Sequence, residues 1–187
     1  MSMKLHKVLT IGGTAFPLVK DEVRLELKSP GRASFTIQAD APVKGLVTLD
    51  IGYNEATLQR HFIGYVERCT AANSVQQVLM CRELAAILAN PMPMNLRHVD
   101  MTMVLAAISE KTGLRFRVPE RPYAKVKAPF FYSLAAGYQA MDSLARVFNI
   151  PDFIWQQQGD GELFAGSWAD SFFGARAPLQ LPVELFD

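Results

Sequence analysis

Asp160 and Glu162 flank a single glycine, and two neighbouring carboxylates are the minimum equipment for acid–base hydrolysis. Such a pair needs a cleft and a raised pKa on one partner. The Gly159-Asp160-Gly161 run predicts a solvated hairpin tip instead. Asp50 and Glu55 form a second acidic pair with the same shortcoming. The three histidines, His6, His61 and His98, fall in separate segments and lack any metal-ligand spacing such as HxxxH. There is no G-x-S-x-G or Cys-His arrangement, and Cys69 has no evident general base. Gly12-Gly13 reads as a turn, not a phosphate loop. These residues predict no catalytic group, no metal and no cofactor, and hence no enzyme.

Cys69 and Cys81 pose a geometric question. If HFIGYVERCT and VQQVLMCRE pair through a turn near Asn73-Ser74, Cys69 lies near the turn and Cys81 at the far end. That places them about 6 residues apart along the ladder, or roughly 20 Å. A disulfide needs Cα atoms within about 7 Å, so two buried free thiols are expected.

The elements that would position any site come in two styles. VRLELK alternates Val23, Leu25 and Leu27 against Arg24, Glu26 and Lys28. SFTIQA repeats the pattern with Phe35 and Ile37, and GLVTLDIGY with Val47, Leu49 and Ile51. Period-two alternation marks strands with one face on a core, and short strands separated by turn residues predict a small barrel or sandwich. Gly64 interrupts a strand run, which implies a bulge, a bend or a close backbone approach.

After VQQVLMC the spacing turns helical, and Asn90-Pro91 stops a short helix over 83–89. Asp100 is placed to cap MTMVLAAISEKT, with Gly113 as its C-terminal stop. LRFRVP and VKAPFFY read as strands, and LAAGYQAMDSLARVF as a second amphipathic helix with an Asp142–Arg146 pair at i, i+4. FIWQQQ and ELFAGSW close a hairpin. The fold class is therefore α+β: a small β-barrel or sandwich over 1–82, then a βαββαββ module over 83–171 with two helices on one small sheet. Residues 172–187 read as an extended apolar C-terminal arm leading toward missing domains.

Half of the 187 residues are hydrophobic and a fifth are charged, as in globular domains. A formal charge of +1 argues against nucleic acid, which demands a basic surface. Apolar runs stop well short of the ~20 residues that span a bilayer, and the N-terminus lacks a signal-peptide core, so neither membrane insertion nor export is expected. Aromatics crowd the second module beyond the needs of its core. Trp155, Trp168, Phe172 and Phe173, with Leu185 and Phe186 of the arm, are the candidate interface.

The words SFTIQA, VTLDIGYN, RHFIGYVERCT and VLMCRELAAIL resemble the N-terminal region of phage tail baseplate hub proteins, the late-control D-like family. Phe62, Gly64 and Val66 match its F-x-G-x-V strand. NLRHVDMTMVLAAISEKTGLRFRVP and FNIPDFIWQQQGDGELFAGSW are similar to the second domain of Mu-like prophage hubs. The resemblance implies a structural protein that forms a homotrimeric ring, joins tail tube and distal tail proteins to the central spike, and carries no cofactor. It would assemble in the host cytoplasm and end in the virion tail. The family's later domains are missing after LPVELFD. Residues 100–166 also resemble the short N-terminal domain of secretins and TonB-dependent receptors, a periplasmic binding module. A tail protein associated with a cell-wall hydrolase is the third reading.

Overall fold

A computed structural model describes residues 4–54, 57–174 and 176–177. The chain opens with a hairpin in which β1 (Leu5–Ile11) turns through Gly12 and Gly13, at φ 58° and 87°, into β2 (Thr14–Phe16). Positive φ at both positions is what a two-residue hairpin requires. Five further strands follow: β3 (Leu18–Arg24), β4 (Arg32–Gln38), β5 (Leu46–Tyr53), β6 (Gln59–Asn73) and β7 (Gln76–Glu83). All pair antiparallel in one sheet of order β2-β1-β5-β6-β7-β4-β3. The sheet curls on itself as a half-barrel. Lys7 of β1 reaches Asp21 of β3 at 2.7 Å, although β3 ends the sheet at the far side from β1.

The concave side holds the first core, built around Leu9, Phe35, Ile37, Val47, Leu49, Phe62 and Leu79. Phe35 and Phe62 meet edge to face with centroids 5.9 Å apart. Alternation thus places β4 and β5 in the predicted register, with Ile51 and Val23 partly buried at the rim. Leu25, expected in this core, is 49% exposed. The strand begins at Leu18, earlier than the sequence predicts, and ends at Arg24. Leu25 and Leu27 then leave the sheet in a loop where Lys28 takes φ 65°. Gly64 answers to its neighbour across the ladder: a Cβ there would sit 2.1 Å from the Arg82 carbonyl oxygen. The glycine is required by close backbone approach.

β7 runs directly into a 3-10 turn, Leu84–Ala89, where the sequence predicts a short helix. Then come β8 (Met94–Val99), α1 (Met101–Thr112), β9 (Phe116–Arg117), α2 (Pro122–Lys125), β10 (Ala128–Ser133), α3 (Gly137–Val147), β11 (Phe153–Gln157) and β12 (Leu163–Ser167). The strands do not form the one small sheet expected. β8 and β10 make an antiparallel ribbon, while β9 lies parallel to β12 in a three-stranded sheet with β11. NLRHV, unassigned in the sequence, supplies β8 and draws β10 away from the others. The whole is mostly β with few helices, compatible with α+β.

Both predicted caps of α1 form. The Asp100 carboxylate accepts from the Met103 N–H at 2.9 Å and the Thr102 hydroxyl at 2.6 Å, and Gly113 closes the helix at φ 74°. Lys127 Nζ lies 2.6 Å from the same carboxylate. The Lys127 and Thr102 hydrogen bonds, aided by Met103, hold the Asp100 pKa down to about 2. The Asp142–Arg146 pairing gives way to a different partner: the Trp155 indole N–H donates to Asp142 at 3.2 Å. The second core gathers Met101, Leu105, Ile108, Phe131, Met141, Leu144, Phe148, Trp155 and Leu163.

Leu49→Ala, at a site 1% exposed, is expected to cost about 2–5 kcal/mol in urea unfolding; a loss near zero would refute the register. Asp100→Ala is expected to cost about 1 kcal/mol through the lost cap. The wild-type advantage should be complete above pH ~4, the unfolded carboxyl range. It should fade as pH falls through about 2, where the folded carboxylate takes up its proton.

Candidate assembly surface

The possible chemical groups are dispersed by the fold. His6 lies on β1, His61 on β6 and His98 on β8. Among the described residues no three His, Cys, Asp or Glu gather closely enough to hold a metal. Asp160 and Glu162 sit at the tip of the β11–β12 hairpin, where Arg117 reaches them at 3.1 and 2.9 Å. They act there as a surface ion-pair cluster that ties β9 to the hairpin.

The cysteines are nearer than expected. Asn73 pairs with Gln76 at the turn, Cys69 lies four residues before it and Cys81 five residues after its partner, so Cys69 falls opposite Leu79, two ladder positions from Cys81, after the bulge at Ala71/Asn73 moves it one step. A diagonal pair of that kind is separated by roughly 7–8 Å, not 20 Å. Both are free thiols; Cys81 is buried and Cys69 half-buried. Burial, then the nearby Cys69 and Glu67, pushes the Cys81 thiol up to about 12, so it stays protonated and inert.

The predicted interface residues separate into three groups. Trp155 is 2% exposed, so it is corrected from surface to core. Its strand β11 is buried along its length, and Tyr138 of α3 stacks on the indole at 5.8 Å. Trp168, Phe172 and Phe173 are exposed together beyond β12: Trp168 stacks on Phe173 at 6.3 Å, Phe172 meets Phe173 edge-on at 5.3 Å, and Arg176 covers Phe172 at 3.7 Å. Leu185 and Phe186 lie outside the described residues. The sequence reading missed a second exposed row, Phe130, Tyr132 and Leu134 on the outer face of the β8–β10 ribbon. The contiguous Phe130-Phe131-Tyr132 run hides which side faces out.

Between the two cores runs a polar seam. The Gln157 side chain accepts from the Ala85 N–H at 3.1 Å and donates to the Ile63 carbonyl at 2.8 Å, bridging β11, the 3-10 turn and β6. Buried Glu83 accepts from the Gly31 N–H at 2.6 Å; burial raises its pKa and that hydrogen bond pulls it back down. Beside the seam opens a cavity of about 590 Å³ lined by Tyr65, Arg82, Ile87 and Leu114 among others.

No family model matches the chain. A protein in the lys 3' region of Haemophilus phage HP1, described as an uncharacterized 58.7 kDa protein, is 31% identical over 170 residues, 90% of this chain and 32% of that protein. The 43 kDa tail protein of prophage MuSo2 from Shewanella oneidensis superposes with a TM-score of 0.62 at 12% identity, over 88% of this chain and 56% of that one. The fold is that of phage tail proteins. A tail protein from Neisseria meningitidis gives a TM-score of 0.57 at 15% identity, covering 89% of this chain and 52% of that chain. An Escherichia coli type VI secretion component, itself described as similar to the T4 tail proteins gp27 and gp5, gives 0.57 at 15% identity over 95% and 53%. The chain thus spans about a third of the HP1 protein and about half of these tail-protein structures.

Gln157→Ala is expected to strand the buried Ala85 N–H and the part-buried Ile63 carbonyl and cost about 1–3 kcal/mol. Hydrogen exchange at the Ala85 amide should accelerate. Unchanged exchange there would mean that the seam does not hold the turn in place.

Proposed function

We propose that the chain is a structural part of a phage or prophage tail, the N-terminal portion of a baseplate hub that joins the tail tube to the central spike. The observation that carries this reading is coverage: the tail-protein likeness extends over both the curled sheet and the second module, 88–95% of the chain. A periplasmic secretin-like module would account for residues 100–166 alone. The working units in this reading are 1–82 and 83–171, with 172–187 as an apolar arm. The hub acts as a homotrimer and contacts tube, distal tail and spike proteins, with Trp168, Phe172 and Phe173 among its contact residues. It assembles in the host cytoplasm, ends in the virion tail, and catalyses nothing.

Purified tails from the producing phage or prophage are expected to contain the chain at three copies each by quantitative mass spectrometry, with immunogold label at the tip of the tube. Absence from purified tails would overturn the reading. So would peptidoglycan cleavage that is abolished by Asp160→Asn together with Glu162→Gln.

A further inference from the structure

Among the described residues strand β10 pairs with another strand along one side only. Its partner is β8, in the register Phe130↔Arg97, Tyr132↔Asn95 and Ser133↔Met94. Among the described residues no strand pairs with its other edge. The inner face is committed to the core: Phe131 is 1% exposed and stacks on Phe148 with centroids 6.5 Å apart. The outer face is not, since Phe130, Tyr132 and Leu134 are 60%, 60% and 69% exposed. Residues 128–135 carry no charge. Sheet edges in monomeric proteins are usually blunted by lysines, prolines or bulges. β10 has only Pro129 near its start; Lys127, just before it, is turned to Asp100 at 2.6 Å, and Arg97 lies over the Phe130 ring at 5.7 Å. Unpaired backbone groups therefore run beside an apolar row of the same period.

The geometry points to a second copy of this chain as the occupant, with β10 pairing antiparallel to β10 about a twofold axis at Tyr132. The row is evenly spaced about that residue, so the twofold sets an exposed apolar side chain opposite each of the three. Tyr132 meets Tyr132 of the partner subunit, and Phe130 meets Leu134 of the partner subunit. Aromatic and aliphatic cross-strand pairs of this kind are favourable. The result is a four-stranded sheet, β8-β10-β10-β8, with one continuous outer face. The three side chains offer roughly 350 Å² per copy, given the ~150–250 Å² that an aromatic side chain presents. A stable interface needs ~800 Å² per partner, so this contact is weak and depends on concentration. It uses one patch twice, whereas a threefold ring joins unlike surfaces. The inference therefore stands apart from the hub reading.

Sedimentation of the full chain from about 10 μM to about 1 mM tests it. The average mass of the wild type is expected to climb toward twice that of the monomer. Phe130→Glu and Leu134→Lys, both at exposed positions, should each hold the protein monomeric. Combined, they set Glu against Lys twice across the axis, and association should return. A wild type that stays monomeric overturns the proposal, as do single variants that associate normally or a double variant that fails to recover. Growth to a trimer that none of these changes affects also overturns it, while leaving the hub reading intact.

Discussion

Strand β7 passes from one hydrophobic core into another without a linker. Leu79 and Cys81 are buried under the curled sheet, and Ala85 and Leu88 are buried four to seven residues later among the helices. Neither core can shift far without pulling on this strand. β6 runs beside it for most of its length, and at Gly64 the two backbones approach so closely that a Cβ would sit 2.1 Å from the Arg82 carbonyl oxygen. A side chain there would push the strands apart where β7 prepares to leave the sheet. The seam then fixes the exit angle: Gln157 reaches from β11 to both Ile63 and Ala85, and Glu83 takes the Gly31 N–H. Burying these polar groups costs little because each finds a partner, and each partner lies on a different element.

Legibility in the sequence followed how local the deciding force was. The α1 caps rest on contacts three or four residues apart, so Asp100 and Gly113 could be named in advance. The β11–β12 hairpin likewise declares itself through its GDG turn. Where the deciding partner is distant, the reading failed. Leu25 alternates correctly with Val23, but the loop from Leu25 to Gly31 is shaped by Glu83, more than fifty residues away. The wide cysteine separation fails on a plain count: Cys69 and Cys81 lie four and five residues from the Asn73–Gln76 pair at the turn, so any antiparallel ladder through it brings them near, and the bulges shift them by only one step. β8 has only weak alternation and was invisible until paired with β10.

The aromatic residues show the same limit from another side. Pattern alone could not tell Trp155 from Trp168, since both follow strand-like runs. What separates them is coverage: α3 places Tyr138 over Trp155 and offers Asp142 to its indole N–H, while Trp168 begins the turn that follows β12, outside the three-stranded sheet. Splitting the second module into two sheets has the same effect on β10. Among the described residues the ribbon has an unpaired edge and an outward face.

The exposed apolar side chains of the described residues lie where the two cores leave them no room. Once the two cores are filled, the remaining large residues lie at the periphery. Trp168, Phe172 and Phe173 lie beyond β12, and Phe130 and Tyr132 lie on the ribbon. The elements beneath them are held by capped helices, hairpins and a satisfied polar seam. Contact side chains on such a frame lose little freedom when they meet a partner, because their backbones are already ordered.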